Sequence, residues 1–316
     1  MLRALLELSR VSNLPTVWTN VLAAWIIASG EEWQWTPALG WLLLGASLIY
    51  SAGMILNDAC DVAWDRDHRP ERPIPSGRIG LKTVWFISLA GLAIGYALMV
   101  FGGGASWKIT ALLVVAVVAY DVYHKPWAGS VIIMGACRTL LYLAAGSADF
   151  NAFDDVFKAP VLYVGALSLG SYIIGLSIVA RSELASREPN RTKFWSGLLL
   201  LCLPLLDVFL VVLLRFVLGG DRDHGLFLDL VSIPFWLANE PVNLLAPVLL
   251  LGLIYFAVEI MSKPPSSNVS KAVGWLLAGI PLVDAVIVSP FSLPAALCFC
   301  ALPPFLRLWQ RWIAAT

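Results

Sequence analysis

The sequence predicts an all-α fold: a polytopic bundle of about nine transmembrane helices, formed as a single domain over residues 1–316. Three observations carry this. Hydrophobic residues make up 59% of the chain and charged residues only 13%, with a mean hydropathy of +0.80, far from the composition of soluble domains. Apolar runs long enough to cross a bilayer recur along the chain. A backbone in hydrocarbon must satisfy its own polar groups, which selects helices. Third, Lys and Arg concentrate on alternate connections between these runs, as they do in proteins threaded through a membrane.

The formal net charge is zero, so bulk charge implies no nucleic-acid partner. The five cysteines (Cys60, Cys137, Cys202, Cys298, Cys300) lie in or near apolar segments without paired metal-ligand spacing. They read as small packing residues.

Residues 1–10 form a short amphipathic piece with Arg3, Glu7 and Arg10. No small-residue cleavage site follows, so the next apolar run reads as a retained first helix, 12–29. Pro15 falls early in it, where a helix tolerates proline. Arg10, Asn13 and Asn20 stand near one end of this span. Trp33 and Trp35 mark an interfacial turn. The second helix runs from residue 38 and carries Gly45, Ala46, Ser47, Ser51, Ala52 and Gly53, small residues that permit close helix packing. Helix three covers 82–101 and is followed by a glycine turn. Helix four covers 108–120 and stops at Asp121-Val122-Tyr123-His124-Lys125-Pro126.

Helix five, 131–146, carries Arg138 about two turns in. A charge at that depth is costly and marks a functional position, expected to face a central cavity. Helix six covers 159–180, and helix seven 194–218 with Pro204, Asp207 and Arg215 inside. The segment 219–241 is the longest outer connection, with 226–237 a candidate to lie on the membrane surface. Helices eight (243–261) and nine (271–288, with Asp284) follow. Residues 290–312 form a last apolar segment broken by Pro294, Pro303 and Pro304, a tenth span or a re-entrant tail.

One stretch breaks the apolar pattern. Asn57-Asp58-Ala59-Cys60-Asp61-Val62-Ala63-Trp64-Asp65-Arg66-Asp67 puts four aspartates within ten residues. The spacings of three and four in Asp58, Asp61 and Asp65 predict carboxylates on one helix face. Such a face repels itself unless a cation neutralises it, and oxygen donors favour Mg²⁺, commonly bound together with substrate phosphates. Arg66, Arg69, Arg72 and Arg78 follow in a proline-stiffened loop. An acidic helix end facing a basic loop suits a metal-bound diphosphate.

The stretch N-D-x-x-D-x-x-x-D, followed by Arg69-Pro70-Glu71-Arg72-Pro73-Ile74-Pro75-Ser76-Gly77, resembles the first aspartate-rich motif of the UbiA superfamily of intramembrane prenyltransferases. That resemblance implies Mg²⁺ at Asp58, Asp61 and Asp65, with Asn57 orienting a carboxylate or the diphosphate. It implies an acceptor pocket near Arg10 and Asn13. It also implies diphosphate contact after helix four, where Tyr120 and Lys125 stand five apart rather than the family's four. The family's second motif, D-x-x-x-D, is degenerate here. Glu183 takes its first position, Arg187 its second, and Glu188 comes one later. A second metal at Glu183 is therefore doubtful, and Arg181 or Arg187 could replace that cation by neutralising phosphate directly. Such degeneracy is similar to that of the EboC-like branch.

The expected function is Mg²⁺-dependent transfer of a prenyl group from a polyprenyl diphosphate to an aromatic or alcohol acceptor within the membrane. Arg66, Arg69, Arg72, Lys125 and Arg138 are expected to contact the diphosphate or the acceptor. The alternatives are a catalytically weak carrier of lipid diphosphates, or a transporter using Asp207 and Asp284. By charge asymmetry the N-terminus and the polar helix ends are expected on the cytoplasmic side of a bacterial inner membrane.

Overall fold

The computed structural model describes residues 2–30, 33–124, 127, 129–149, 153–155, 158–184, 191–219, 241–263 and 267–310. All regular structure among them is helical. An amphipathic α1 (Leu2–Leu8) leads through a short 3₁₀ turn (Val11–Asn13) into α2 (Leu14–Ser29), whose second residue is Pro15. Gly30, at φ 76°, ends it. In α3 (Pro37–Cys60), the Thr36 hydroxyl accepts the Leu39 N–H and Pro37 occupies the first turn, two start signals read directly from the sequence.

Asp61, at φ −84° and ψ −4°, ends α3 and begins the short α4 (Val62–His68). Then come α5 (Leu81–Ala97), prolonged by a π-helical turn Leu98–Gly102, α6 (Trp107–Tyr123), α7 (Ser130–Gly146) and α8 (Lys158–Leu184). The expected single helix seven is two, α9 (Arg191–Cys202) and α10 (Asp207–Gly219), because Pro204 sits in a 3₁₀ turn between them. Likewise helix nine is split at Gly279 into α12 (Ser267–Ala278) and α13 (Ile280–Val288), with Pro281 at the start of the second piece. Between these pairs lies α11 (Leu245–Met261). The last apolar segment is α14 (Leu293–Trp309), which carries Pro303 and Pro304 inside.

Among the described residues, six stretches are long and apolar enough to cross a membrane: Val11–Ser29, Pro37–Cys60, Leu81–Gly102, Lys158–Arg181, Thr192–Val211 and Asn268–Val288. Helices α7, α11 and α14 are shorter apolar helices. The protein is an all-α, polytopic helical bundle. Residues 226–237, expected on the membrane surface, lie outside the described residues.

Without a hydrophobic force between helices in lipid, small residues let backbones approach. The α3–α5 pair uses Gly45 and Gly95. A Cβ on Gly95 would stand 2.8 Å from the Gly45 carbonyl oxygen and 3.0 Å from the Ile49 nitrogen. Gly175 and Gly197 join α8 to α9 in the same way, a Cβ on Gly175 meeting the Gly197 oxygen at 2.6 Å. Gly95→Val is therefore expected to force α3 and α5 apart and to cost roughly 1–3 kcal/mol of stability. Thermal melting in detergent measures this, with Gly252→Ala as the control, since nothing lies within 4 Å of a Cβ there. Equal melting temperatures for the two variants would refute the close-packing assignment.

Candidate active site

The aspartate motif sits where α3 ends. Arg72 Nη1 donates to Asp65 Oδ2 at 2.8 Å and to Asp58 Oδ1 at 3.1 Å. The Pro-rich loop therefore folds back onto the helix end through one guanidinium. Arg10 adds a second, its Nη2 3.7 Å from Asp58 Oδ1. Arg10 holds a left-handed backbone, φ 45° and ψ 48°, alone among the described non-glycine residues. Strain of this kind concentrates at functional positions.

The three motif carboxylates, expected on one face, differ in their partners. They divide two and one. Asp58 and Asp65 converge on Arg72, while Asp61 Oδ1 stands 3.3 Å from His124 Nε2. Among the described residues no three acidic, histidine or cysteine side chains form a ready metal cluster. The backbone ladder itself continues through Asp61, whose N–H donates to Asn57 O at 3.0 Å and whose carbonyl accepts from Asp65 N at 2.9 Å. Still, the donors fit a hard cation. Asp65 is buried, and its Oδ1 has no hydrogen-bond partner among the described residues. An oxygen-only donor set with an unsatisfied buried oxygen is what Mg²⁺ accepts.

The other loop arginines are not in the cluster. Arg66 and Arg69 are exposed, and Arg69 lies 5.6 Å over the Trp64 ring. Arg78 makes a bidentate pair with Glu7 at 2.9 and 3.1 Å, tying the loop to α1. Those hydrogen bonds push the Arg78 guanidinium further above its already high ordinary value.

Next to the motif lies a cavity of about 310 Å³. Ile49, Val117, Met134, Ile173 and Leu277 make it apolar, and Arg10, Asn13, Tyr120, Asp121, Arg138 and Arg181 supply polar groups. Two contacts join cavity and motif. Arg10 serves both, and Asn57 Nδ2 donates to Asp121 Oδ1 at 3.2 Å.

Arg138 lines this cavity, as its depth suggested, and its guanidinium is held by neutral side chains of α2. Its Nη1 donates to Asn20 Oδ1 at 2.6 Å and its Nη2 to Thr16 Oγ1 at 3.2 Å, with the Tyr50 ring 5.5 Å away. Asn20 Nδ2 in turn donates to Asp284 Oδ2 at 2.8 Å. A carboxylate thus balances the guanidinium through an amide. Asp207 is held separately by the Ser168 hydroxyl at 2.6 Å. Neither aspartate lines the cavity.

Arg181 lines the cavity mouth and donates to Ser130 Oγ at 3.2 Å. Lys125, Arg187 and Glu188 lie outside the described residues, as do the side chains of Glu183 and Arg215. Four residues after Tyr120 stands His124, whose ring stacks on Tyr120 at 5.4 Å between centroids. Neither His124 nor Asp121 is marked in the sequence by a motif. Their only local signal was that both sit at a helix end beside Tyr120.

An apolar cavity between helices, lined by Arg10, Arg181 and Asp121 and linked by Arg10 and Asn57 to the carboxylates at the end of α3, defines a class. Proteins of this class seat an anionic head at the surface and its apolar tail in the bundle. The chain belongs to the UbiA prenyltransferase family, whose model matches residues 16–276. It is 28% identical to the digeranylgeranylglyceryl phosphate synthase of Ignicoccus hospitalis over 295 residues, 83% of this chain and 93% of that one. The Sulfolobus acidocaldarius protein of the same name is 37% identical over 93 residues, and there the chain spans only 33% of the relative's length, 29% of its own. A solved structure of a digeranylgeranylglyceryl phosphate synthase superposes with a TM-score of 0.57 at 20% identity, over 91% of this chain and 97% of that one. At that identity the likeness concerns the fold. These relatives do not carry the EboC-like name that the degenerate second motif suggested.

Proposed function

We propose that this protein transfers a prenyl group from a prenyl diphosphate to the hydroxyl of a lipid acceptor of the glyceryl phosphate type. The single observation that carries this is the Asp58–Arg72–Asp65 cluster, joined through Arg10 and Asn57–Asp121 to the apolar cavity. The names of the relatives favour the alcohol over an aromatic acceptor.

In this reading the prenyl tail lies against Ile49, Val117 and Ile173, and the diphosphate lies at the α3 end. Asp58 and Asp65, with Asp61, would hold Mg²⁺. The ion supplies Lewis-acid neutralisation of the diphosphate as it leaves. Arg72 keeps the two carboxylates in place, and Arg10 and Arg181 offer charge-assisted hydrogen bonds to phosphate oxygens. The apolar cavity walls exclude water from the allylic carbon while its bond breaks. The concentration of Lys and Arg on alternate connections supports a cytoplasmic orientation of this face.

The test uses purified protein in detergent with Mg²⁺, geranylgeranyl diphosphate and a panel of alcohol and aromatic acceptors. Diphosphate release that needs both Mg²⁺ and an alcohol acceptor, and that disappears in Asp61→Ala, is the expected result. Tight Mg²⁺-dependent binding without release would replace the transferase by a carrier. Absence of both binding and release from a folded protein would refute the diphosphate site.

A further inference from the structure

We propose that Asp121 is the group that takes the proton from the acceptor's hydroxyl. The inference rests on the alcohol-acceptor reading above and adds the base which that reading requires.

The motif carboxylates are assigned to Mg²⁺ in that reading and already have cationic or histidine neighbours. Asp58 and Asp65 hold Arg72, and Asp61 stands against His124. Among the described residues that line the cavity, Asp121 is the one carboxylate. It sits near the end of α6, 2% exposed. Its two oxygens differ. Oδ1 accepts the Asn57 amide at 3.2 Å, which fixes the carboxyl plane from the motif helix. Oδ2 is buried and has no hydrogen-bond partner among the described residues. A buried acceptor atom without a donor is costly, and native proteins fill such positions with a ligand group or water. Here the missing donor is supplied by the acceptor's O–H.

The placement suits the reaction. Asn57 is the residue immediately before Asp58, so one helix end holds both the diphosphate clamp and the base's anchor. The departing diphosphate and the arriving hydroxyl are thereby brought together at one corner of the cavity. The step balances as follows. The C1–O bond of the allylic diphosphate breaks, and its electron pair leaves with the diphosphate. A lone pair of the acceptor oxygen forms the new C1–O bond. The proton of that oxygen passes to Asp121 Oδ2 and afterwards to water. No oxidant or reductant is needed. Asn57 acts as a positioning residue, through Asp121 rather than on the substrate.

The experiment compares wild type, Asp121→Asn and Asp121→Ala in detergent with Mg²⁺. The donor is geranylgeranyl diphosphate and the acceptor geranylgeranylglyceryl phosphate. Two quantities are read: donor binding, with a non-reactive thiodiphosphate analogue, and formation of the prenyl ether. Both variants are expected to bind the donor as wild type does while kcat falls by roughly 10²–10³-fold. Formate, a small carboxylate that fits the space left in Asp121→Ala, is expected to restore part of the rate, which a structural role would not produce. Ether formation near the wild-type rate in either variant overturns the assignment. So does a loss of turnover that follows a loss of donor binding. Wild-type protein that prenylates only ring carbons of aromatic acceptors overturns the alcohol reading itself, and that outcome is seen before any variant is made.

Discussion

Asp58→Asn is expected to lower Mg²⁺-dependent prenyl transfer by roughly 10³-fold, because one carboxylate that neutralises the metal-bound diphosphate is worth several kcal/mol. The bundle should stay folded. Asparagine keeps the shape of aspartate and leaves a carbonyl oxygen for Arg72, which retains Asp65 Oδ2 at 2.8 Å. Arg10, at 3.7 Å from Asp58, is 24% exposed at its side chain and can turn to water. The measurement pairs kcat at saturating Mg²⁺ with a melting curve of the same preparation. A variant that turns over normally would remove Asp58 from the donor set. A variant that melts early and loses activity in proportion would make the cluster a structural ion pair.

Asn20→Ala is expected to be the most damaging single change to stability away from the motif, by about 3–5 kcal/mol. Asn20 is fully buried and joins two groups that need each other. Its carbonyl takes the Arg138 guanidinium at 2.6 Å, and its amide supplies Asp284 at 2.8 Å. Alanine removes both bonds at once and leaves a cation and an anion in a low-dielectric bundle without their connector. A charge inside a membrane helix is already unfavourable by about 2.5–3.5 kcal/mol on insertion scales, so a lost partner there is felt. The double variant Asn20→Ala/Arg138→Met should recover part of the loss, since it removes the cation that Asn20 served. Melting in detergent of the two singles and the double gives the coupling energy. Additive losses would show that Asn20 and Arg138 do not act as one network.

Some of the site was legible because its signals are local. Asp58 and Asp65 are seven apart and meet one guanidinium, a two-turn spacing that the chain itself displays. Arg138 was legible because a charge two turns inside an apolar helix has few physical explanations. Which loop arginine reaches the carboxylates was not. Arg66, Arg69 and Arg72 look alike in a list of basic residues, and only the fold of the proline loop sends Arg72 inward and leaves the other two exposed. The partner of Asp61 was equally hidden. Three-and-four spacing says nothing of what packs against the carboxylates, and only the approach of α6 brings His124 to Asp61.

The sequence by itself determined that this chain is a helical membrane bundle, because apolar runs of bilayer length admit no other backbone that satisfies its own polar groups. It also marked the stretch to which the diphosphate chemistry is assigned in the proposal, because clustered carboxylates in so apolar a chain call for a cation or a ligand. Tertiary structure alone decided the partnerships that turn those residues into a site. Asn57 meets Asp121 across 64 residues and Asn20 meets Asp284 across 264. Hydrogen bonds act over about 3 Å, and no periodicity along a chain encodes which distant helix faces will lie that close.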